Sequence, residues 1–275
     1  MLLYDIRPSP QLASLVRLYR VVDFTFGPDE DLPFKAYPPR AEHCLQFYPR
    51  DRETVRYDES GKQIGGLPVV LVGQHTTVTN RYVGRDFMVF QVVLQPGAIH
   101  HLTGLGSDEL TNVYMDARDL FGRELDDVNE QLYFARDIRS MVQVVERFLL
   151  TRANKIGLHQ RPALLVAQQM LRDEEGTLDD YVSMSCLSHR QFNRVFIAQT
   201  GVSPKQFMRL VRFERSYVMK NRHPDMDWLA IAVQCGYHDH QHLSKDYKEF
   251  TGYSPGQFFA IEANAPERRF GEVDA

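Results

Sequence analysis

The sequence predicts an α+β chain: a β-rich N-terminal part followed by an all-helical C-terminal part. Three observations predict it. Short runs of β-branched and aromatic residues, punctuated by glycine and proline, fill the first 100 residues. After Gly106 the apolar residues recur at helical spacing. From Pro162 onward the pattern is helical throughout, and it repeats at an offset of 51 residues (Leu178 to Leu229, His189 to His240).

In chain order, residues 21–26, 44–48, 68–72 and 87–94 are strand candidates, the last being the richest in β-branched and aromatic residues. Gly27-Pro28-Asp29, Gly65-Gly66 and Pro96-Gly97 supply the turns between them. Several short strands at this spacing predict a small barrel or sandwich. Helices are expected at 108–117, 125–134 and 137–151. In the last, Ile138, Met141, Val142, Val145, Phe148 and Leu149 form one stripe, which packs on the barrel or pairs with a second copy of itself. Residues 151–157 interrupt the pattern and read as a linker. The expected division is therefore 1–154, 155–262 and a flexible tail, 263–275.

Composition excludes several classes. Hydrophobic residues make up 43% and charged residues 25%, enough apolar surface to exclude wholesale disorder. The longest apolar runs fall far short of the roughly 20 residues of a bilayer span. Charge and proline in the first eight residues break any signal-peptide core. Cys44, Cys186 and Cys235 are widely spaced, which excludes a disulfide framework and fits buried thiols in a reducing cytoplasm.

The net charge of −4 conceals an asymmetry. Residues 1–154 carry 17 basic and 21 acidic side chains, whereas 155–262 carry 13 and 12. Between Cys186 and Arg222, eight basic residues face the single acid Glu214. Such a local excess is the electrostatic footprint of phosphate binding.

The repeat is densest where Thr200-Gly201-Val202-Ser203-Pro204-Lys205-Gln206-Phe207 maps onto Thr251-Gly252-Tyr253-Ser254-Pro255-Gly256-Gln257-Phe258. Two copies make a duplicated supersecondary unit rather than a solenoid. In the first copy a short helix meets a turn at Ser185-Cys186-Leu187. Ser188 then caps a second helix, with Gln191 closing a capping box. In the second copy Asp227 starts a helix, Gly236 permits the turn and Asp239 caps the next helix. Each second helix has an apolar back (Phe192, Val195 and Phe196; Leu243 and Tyr247) and a polar front. That is a helix-turn-helix. The fronts carry Arg190, Asn193 and Arg194, and His240, Gln241, Ser244 and Lys245. Arg grips guanine, and Asn or Gln grips adenine, with paired hydrogen bonds in the major groove. Ser203-Pro204 opens a connecting helix of about 23–26 Å, which sets the two fronts near one DNA turn apart. Lys205, Arg209, Arg212, Arg215 and Lys248 are the expected phosphate contacts.

At these residues the sequence resembles the AraC/XylS family of bacterial transcription regulators over about residues 160–261. The most diagnostic stretch is Ile231-Ala232-Val233-Gln234-Cys235-Gly236-Tyr237-His238-Asp239. Leu243-Ser244-Lys245-Asp246-Tyr247-Lys248 and Thr251-Gly252-Tyr253-Ser254-Pro255 follow it, and Arg212-Phe213-Glu214-Arg215-Ser216 resembles the start of the family's linker helix. The resemblance implies two helix-turn-helix units joined by a long helix, reading promoter DNA with the residues named above. It also implies an N-terminal cupin-like barrel that binds a small-molecule effector, dimerises, or does both, and RNA polymerase as a partner. Two departures stand out: Val182 and Cys186 replace a small Ala-Gly pair in the first unit, and Asp246 places an acid beside the reading face.

Catalytic and metal readings find little to stand on. His238, His240 and His242 sit two residues apart, so on a helix they diverge by about 200°. No HxH pair occurs in residues 1–150, and His43, His75, His100 and His101 read as packed or surface histidines. No cofactor and no enzyme activity are expected. The competing reading is a cupin-like enzyme fused to a DNA-binding module, and it lacks a cysteine-rich zinc site or nucleophile segment. Trp228 is expected to anchor the second unit.

Overall fold

The computed structural model describes residues 2–57, 60–156, 162–173 and 176–270. Ten strands come first: β1 (Leu2–Ile6), β2 (Val16–Thr25), β3 (Phe34–Tyr37), β4 (His43–Phe47), β5 (Thr54–Arg56), β6 (Gln63–Gly65), β7 (Val69–Val72), β8 (Thr79–Tyr82), β9 (Asp86–Leu94) and β10 (Tyr114–Asp116). Four helices accompany them: α1 (Ala98–Thr103), α2 (Arg118–Phe121), α3 (Glu124–Tyr133) and α4 (Ile138–Ile156).

The strands form two antiparallel sheets, β1-β2-β9-β4-β7-β10 and β3-β8-β5-β6. The expected cupin-like barrel is therefore not closed. Strand pairing stops at β1 and β10 in the larger sheet and at β3 and β6 in the smaller one. The larger sheet is buried on both faces, and its alternation shows why. Leu45, Phe47, Val69, Leu71, Met88, Phe90 and Val92 point to the helices. Cys44, Val70, Val72, Phe87, Val89 and Val93 point to the smaller sheet. A period of two serves two cores, so the central strands are apolar at nearly every position.

The helical stripe of α4 settles between its two expected roles. Met141, Val145, Phe148 and Leu149 are buried in the sheet–helix core, with Ile138 and Val142 packed at its margin. Two expectations are corrected. Residues 151–156 are not a linker but continue α4. They contain no proline or glycine, Ala153 is buried, and Arg152 lies over the Phe121 and Phe148 rings and bonds the Phe121 carbonyl. Gly157 lies outside the described residues. Residues 108–117 are not a helix but a 3-10 turn (Ser107–Leu110) followed by β10. Asn112, at φ 58°, ends the turn, and Tyr114-Met115-Asp116 pair with Val72-Leu71-Val70 at the sheet edge. Tertiary pairing overrides helical spacing there.

The C-terminal helices are α5 (Pro162–Met170), α6 (Leu178–Ser185), α7 (His189–Thr200), α8 (Pro204–Arg222), α9 (Trp228–Gln234), α10 (His240–Thr251) and α11 (Pro255–Glu262). One core joins them, centred on Phe192, Phe196, Phe207, Leu210, Phe213, Tyr247 and Phe258. The two parts are stitched together by polar contacts. Ser107 Oγ donates to the Gln199 carbonyl (2.8 Å), Thr111 Oγ1 to the Gly201 carbonyl (2.7 Å), and Val78 N to the Phe250 carbonyl (2.8 Å). Gly201, at φ +84°, is required twice over. It ends α7 in the left-handed region, and a Cβ there would meet the Ser107 carbonyl oxygen at 2.9 Å. Of the expected flexible tail, Pro266–Phe270 form a 3-10 turn, and Glu267 pairs with Lys35. Residues 271–275 lie outside the described residues.

Candidate nucleic-acid interface

The first helix-turn-helix is α6, a tight turn and α7. Thr177 and Ser188 cap the two helices with reciprocal capping boxes, through Asp180 and Gln191. The turn pivots on Cys186, at φ 55°. The residue that departs from the small Ala-Gly pattern thus adopts the left-handed conformation that glycine would take at lower cost. The second unit is α9, a turn with Gly236 at φ 76°, and α10. Asp227 Oδ1 accepts from the Leu229 and Ala230 amides, and Asp239 Oδ1 from the His242 amide. Trp228 packs edge-on to Tyr247 and Phe259 with Lys220 over its ring, the anchoring position expected of it.

The fronts of α7 and α10 carry the residues that sequence reasoning named. Arg190, Asn193 and Arg194 are exposed on α7, while Phe192 and Phe196 on its back are fully buried. His240, Gln241 and Lys245 are exposed on α10, Ser244 is half-buried, and Leu243 and Tyr247 are buried behind them. Helix α8 joins the units with 19 residues, about 28 Å at 1.5 Å per residue. A groove along it brings together Lys205, Arg209 and Arg212 of α8 with His242 and Lys245 of the second unit.

The phosphate candidates separate into two groups. Lys205 and Lys248 are exposed. Arg209, Arg212 and Arg215 of α8 are engaged inside the domain. Arg209 donates to Asp246 (3.1 and 2.7 Å) and to Glu249 (2.8 and 2.6 Å). Arg212 lies over the Tyr237 ring, 4.4 Å from its centroid, and 3.6 Å from Asp246. Arg215 donates to the Leu171 and Asp173 carbonyls, which turns it toward α5. Asp246 itself is only 1% exposed. It points inward from α10 and braces that helix against α8. The Arg209 guanidinium, with Lys245 nearby, holds the Glu249 carboxyl below its usual range, while burial and Arg212 lower the His242 imidazole.

Sequence reasoning missed this brace because α10 alone offers no sign of which turn α8 crosses. The i, i+3 spacing of Asp246 and Glu249 was the available signal, since it sets two carboxylates side by side on α10. Among the described residues no group of histidine, cysteine and carboxylate side chains is arranged to hold a metal, and no helix is long and apolar enough to cross a membrane.

Comparison with known proteins matches this geometry. Residues 181–261 match the family described as helix-turn-helix domain, and residues 4–116 match a domain of unknown function, DUF6597. The HTH-type transcriptional regulator MtrA of Neisseria gonorrhoeae is 29% identical over 86 residues, 31% of this chain and 28% of that protein. The Msm operon regulatory protein of Streptococcus mutans is 23% identical over 156 residues, 55% of each. The chain thus aligns with about half or less of these relatives' lengths. A solved structure of ToxT from Vibrio cholerae superposes with a TM-score of 0.51 at 9% identity, covering 88% of this chain and 98% of that one. ToxT bound to (E)-4-(8-methylnaphthalen-1-yl)but-3-enoic acid superposes with a TM-score of 0.50 at 10% identity, over 89% and 99%. These likenesses show a shared mixed fold, sheet-rich first and helical second. Residues 181–261 thus form a helix-turn-helix domain of the AraC type, similar to that of transcriptional regulators.

Proposed function

We propose that the protein is a sequence-specific DNA-binding transcription regulator controlled by a small molecule bound in its N-terminal domain. The observation that carries the DNA reading is the pair of second helices. Each buries its apolar back and leaves the guanine- and adenine-reading residue types in solvent: Arg190, Asn193 and Arg194, then His240, Gln241, Ser244 and Lys245. Lys205 and Lys248 are placed to meet phosphates, and Arg209, Arg212 and Arg215 to hold the frame that positions them. An asymmetric site of two short blocks, about one helical turn apart, suits one chain.

The two sheets pack over a shared apolar core, and ToxT, of similar fold, has been solved bound to a carboxylic acid. That likeness supports an effector site in this part of the chain. RNA polymerase and a second copy of the chain are the further partners such a regulator engages. The named site residues have geometry suited to recognition rather than chemistry, so no catalytic role is assigned.

Fluorescence anisotropy with promoter-length duplex at rising salt tests the reading. The logarithm of affinity should fall linearly with the logarithm of salt, by about 0.9 per phosphate contact. A flat salt dependence with no duplex binding would overturn it.

A further inference from the structure

Between the two sheets lies a cavity lined in part by Pro266 and Glu267 of the C-terminal segment. Its apolar walls are Val22, Phe24, Val83, Phe87 and Val89. Its polar end carries Lys35 and Arg81, and Pro266 and Glu267 lie across it. The Glu267 carboxylate is ion-paired with the Lys35 ammonium, and both side chains are nearly buried. An acid from the last turn of the chain thus sits where an anionic ligand's head group would sit.

Three further observations point to a ligand. Arg81 Nε and Gln91 Oε1 are both buried, line this cavity and make no hydrogen bond. Buried polar atoms are normally satisfied, so one on each sheet, both lining this cavity, mark an unfilled function. The free space is about 70 Å³, room for a few waters and far below the roughly 300–1,000 Å³ of ligand pockets. With Glu267 in place the cavity is therefore too small for such a ligand. The Glu267 segment, the stopper, is also tied to the reading domain. Arg268 donates to Asn221 Oδ1 at the end of α8 (2.6 Å).

Building on the regulator reading above, we propose that residues 263–270 are a built-in competitor for the effector. An amphipathic monocarboxylate enters between the sheets, sets its carboxylate on Lys35 in place of Glu267, and releases the segment that ties α8 to the N-terminal domain. The ligand class follows from the site: one anionic head to replace one carboxylate, and an apolar body for the aromatic and valine walls. The coupling follows from competition, since only a ligand that binds the open state better than the closed one shifts the balance.

The test uses full-length protein and the Glu267→Gln and Lys35→Met variants, titrated calorimetrically with decanoate and with 1-decanol. Hydrogen exchange of residues 263–270 is followed in parallel. If the stopper is out in about a tenth of molecules, Glu267→Gln should bind decanoate about tenfold more tightly than the parent. Decanol needs the same open cavity and should gain similarly, but with no charge to set on Lys35 it should bind both proteins more weakly than decanoate does. Lys35→Met should lose decanoate binding. In the unaltered protein, saturating decanoate should raise exchange in residues 263–270, a readout that needs no variant. The proposal is overturned by equal decanoate affinity in parent and Glu267→Gln, by decanol binding as tightly as decanoate, by unchanged exchange at saturation, or by no decanoate binding at all. Duplex binding measured on the same samples separates the two readings. Selective DNA binding with a fixed stopper sinks only this proposal, whereas a responsive stopper without selective DNA binding sinks the regulator reading.

Discussion

Replacing Asp246 with asparagine tests whether that carboxylate braces the domain or faces DNA. Its side chain is buried, accepts two hydrogen bonds from Arg209 and lies 3.6 Å from Arg212. Hydrogen bonds to charged groups are worth about 1.5–3 kcal/mol each. Asparagine keeps one acceptor oxygen, and Arg209, about a quarter exposed, retains Glu249 and water. The expected loss is therefore at the lower end, about 2–3 kcal/mol, rather than the 3–5 of a fully buried broken pair. The assay is urea unfolding followed by fluorescence of Trp228. It is the single tryptophan of the chain, and its ring lies 5.5 Å from that of Tyr247, the residue after Asp246. The midpoint should fall by about 1–2 M urea. An unchanged midpoint together with tighter DNA binding would refute the brace and restore Asp246 to the reading face.

Four other outcomes are expected. Arg190→Ala should cost about 1–3 kcal/mol at one base position and relax the preference there, read by competition among single-base variants of the site. Lys205→Ala and Lys248→Ala should instead weaken all sequences alike and each reduce the salt slope by about 1, measured by anisotropy. Cys186→Gly should stabilise the chain by about 1 kcal/mol in thermal melts, because its left-handed backbone is strained for a side chain. Acid should destabilise the N-terminal part. Burial lowers His43 to about 4 and His75 to about 3, so the folded chain refuses protons that the unfolded chain takes up from about pH 6.5 downward. Their contribution is fully present above that pH and is lost toward pH 4, at up to about 1.4 kcal/mol per unit for each histidine. His43→Gln should flatten that slope in pH-dependent denaturation curves.

The helical half was legible in the sequence because its signals are local. Ser188 with Gln191, Asp227, Asp239 and the two Ser-Pro pairs mark helix starts within four residues of chain, and the structure places a helix at each. The strong strands were legible for the same reason: the 87–94 run became β9. Short edge pieces such as β3, β5, β6 and β8 were not, because they depend on partners far along the chain. β10 was misread as helix since its three residues carry no period of their own. The front residues of α7 and α10 could be named from spacing. That Arg209, Arg212 and Arg215 turn inward could not, because each is decided by a carboxylate, ring or carbonyl on another helix. Lys35 and Glu267 lie 232 positions apart and meet only through the packing of the two domains.

The most direct test of the account is a selection of full-length protein against random duplex DNA at two salt concentrations, read by sequencing. The account predicts enrichment of one asymmetric motif with two short blocks about one helical turn apart, weaker in yield but unchanged in sequence at the higher salt. Enrichment of no sequence at either salt, with or without added carboxylate, would contradict it.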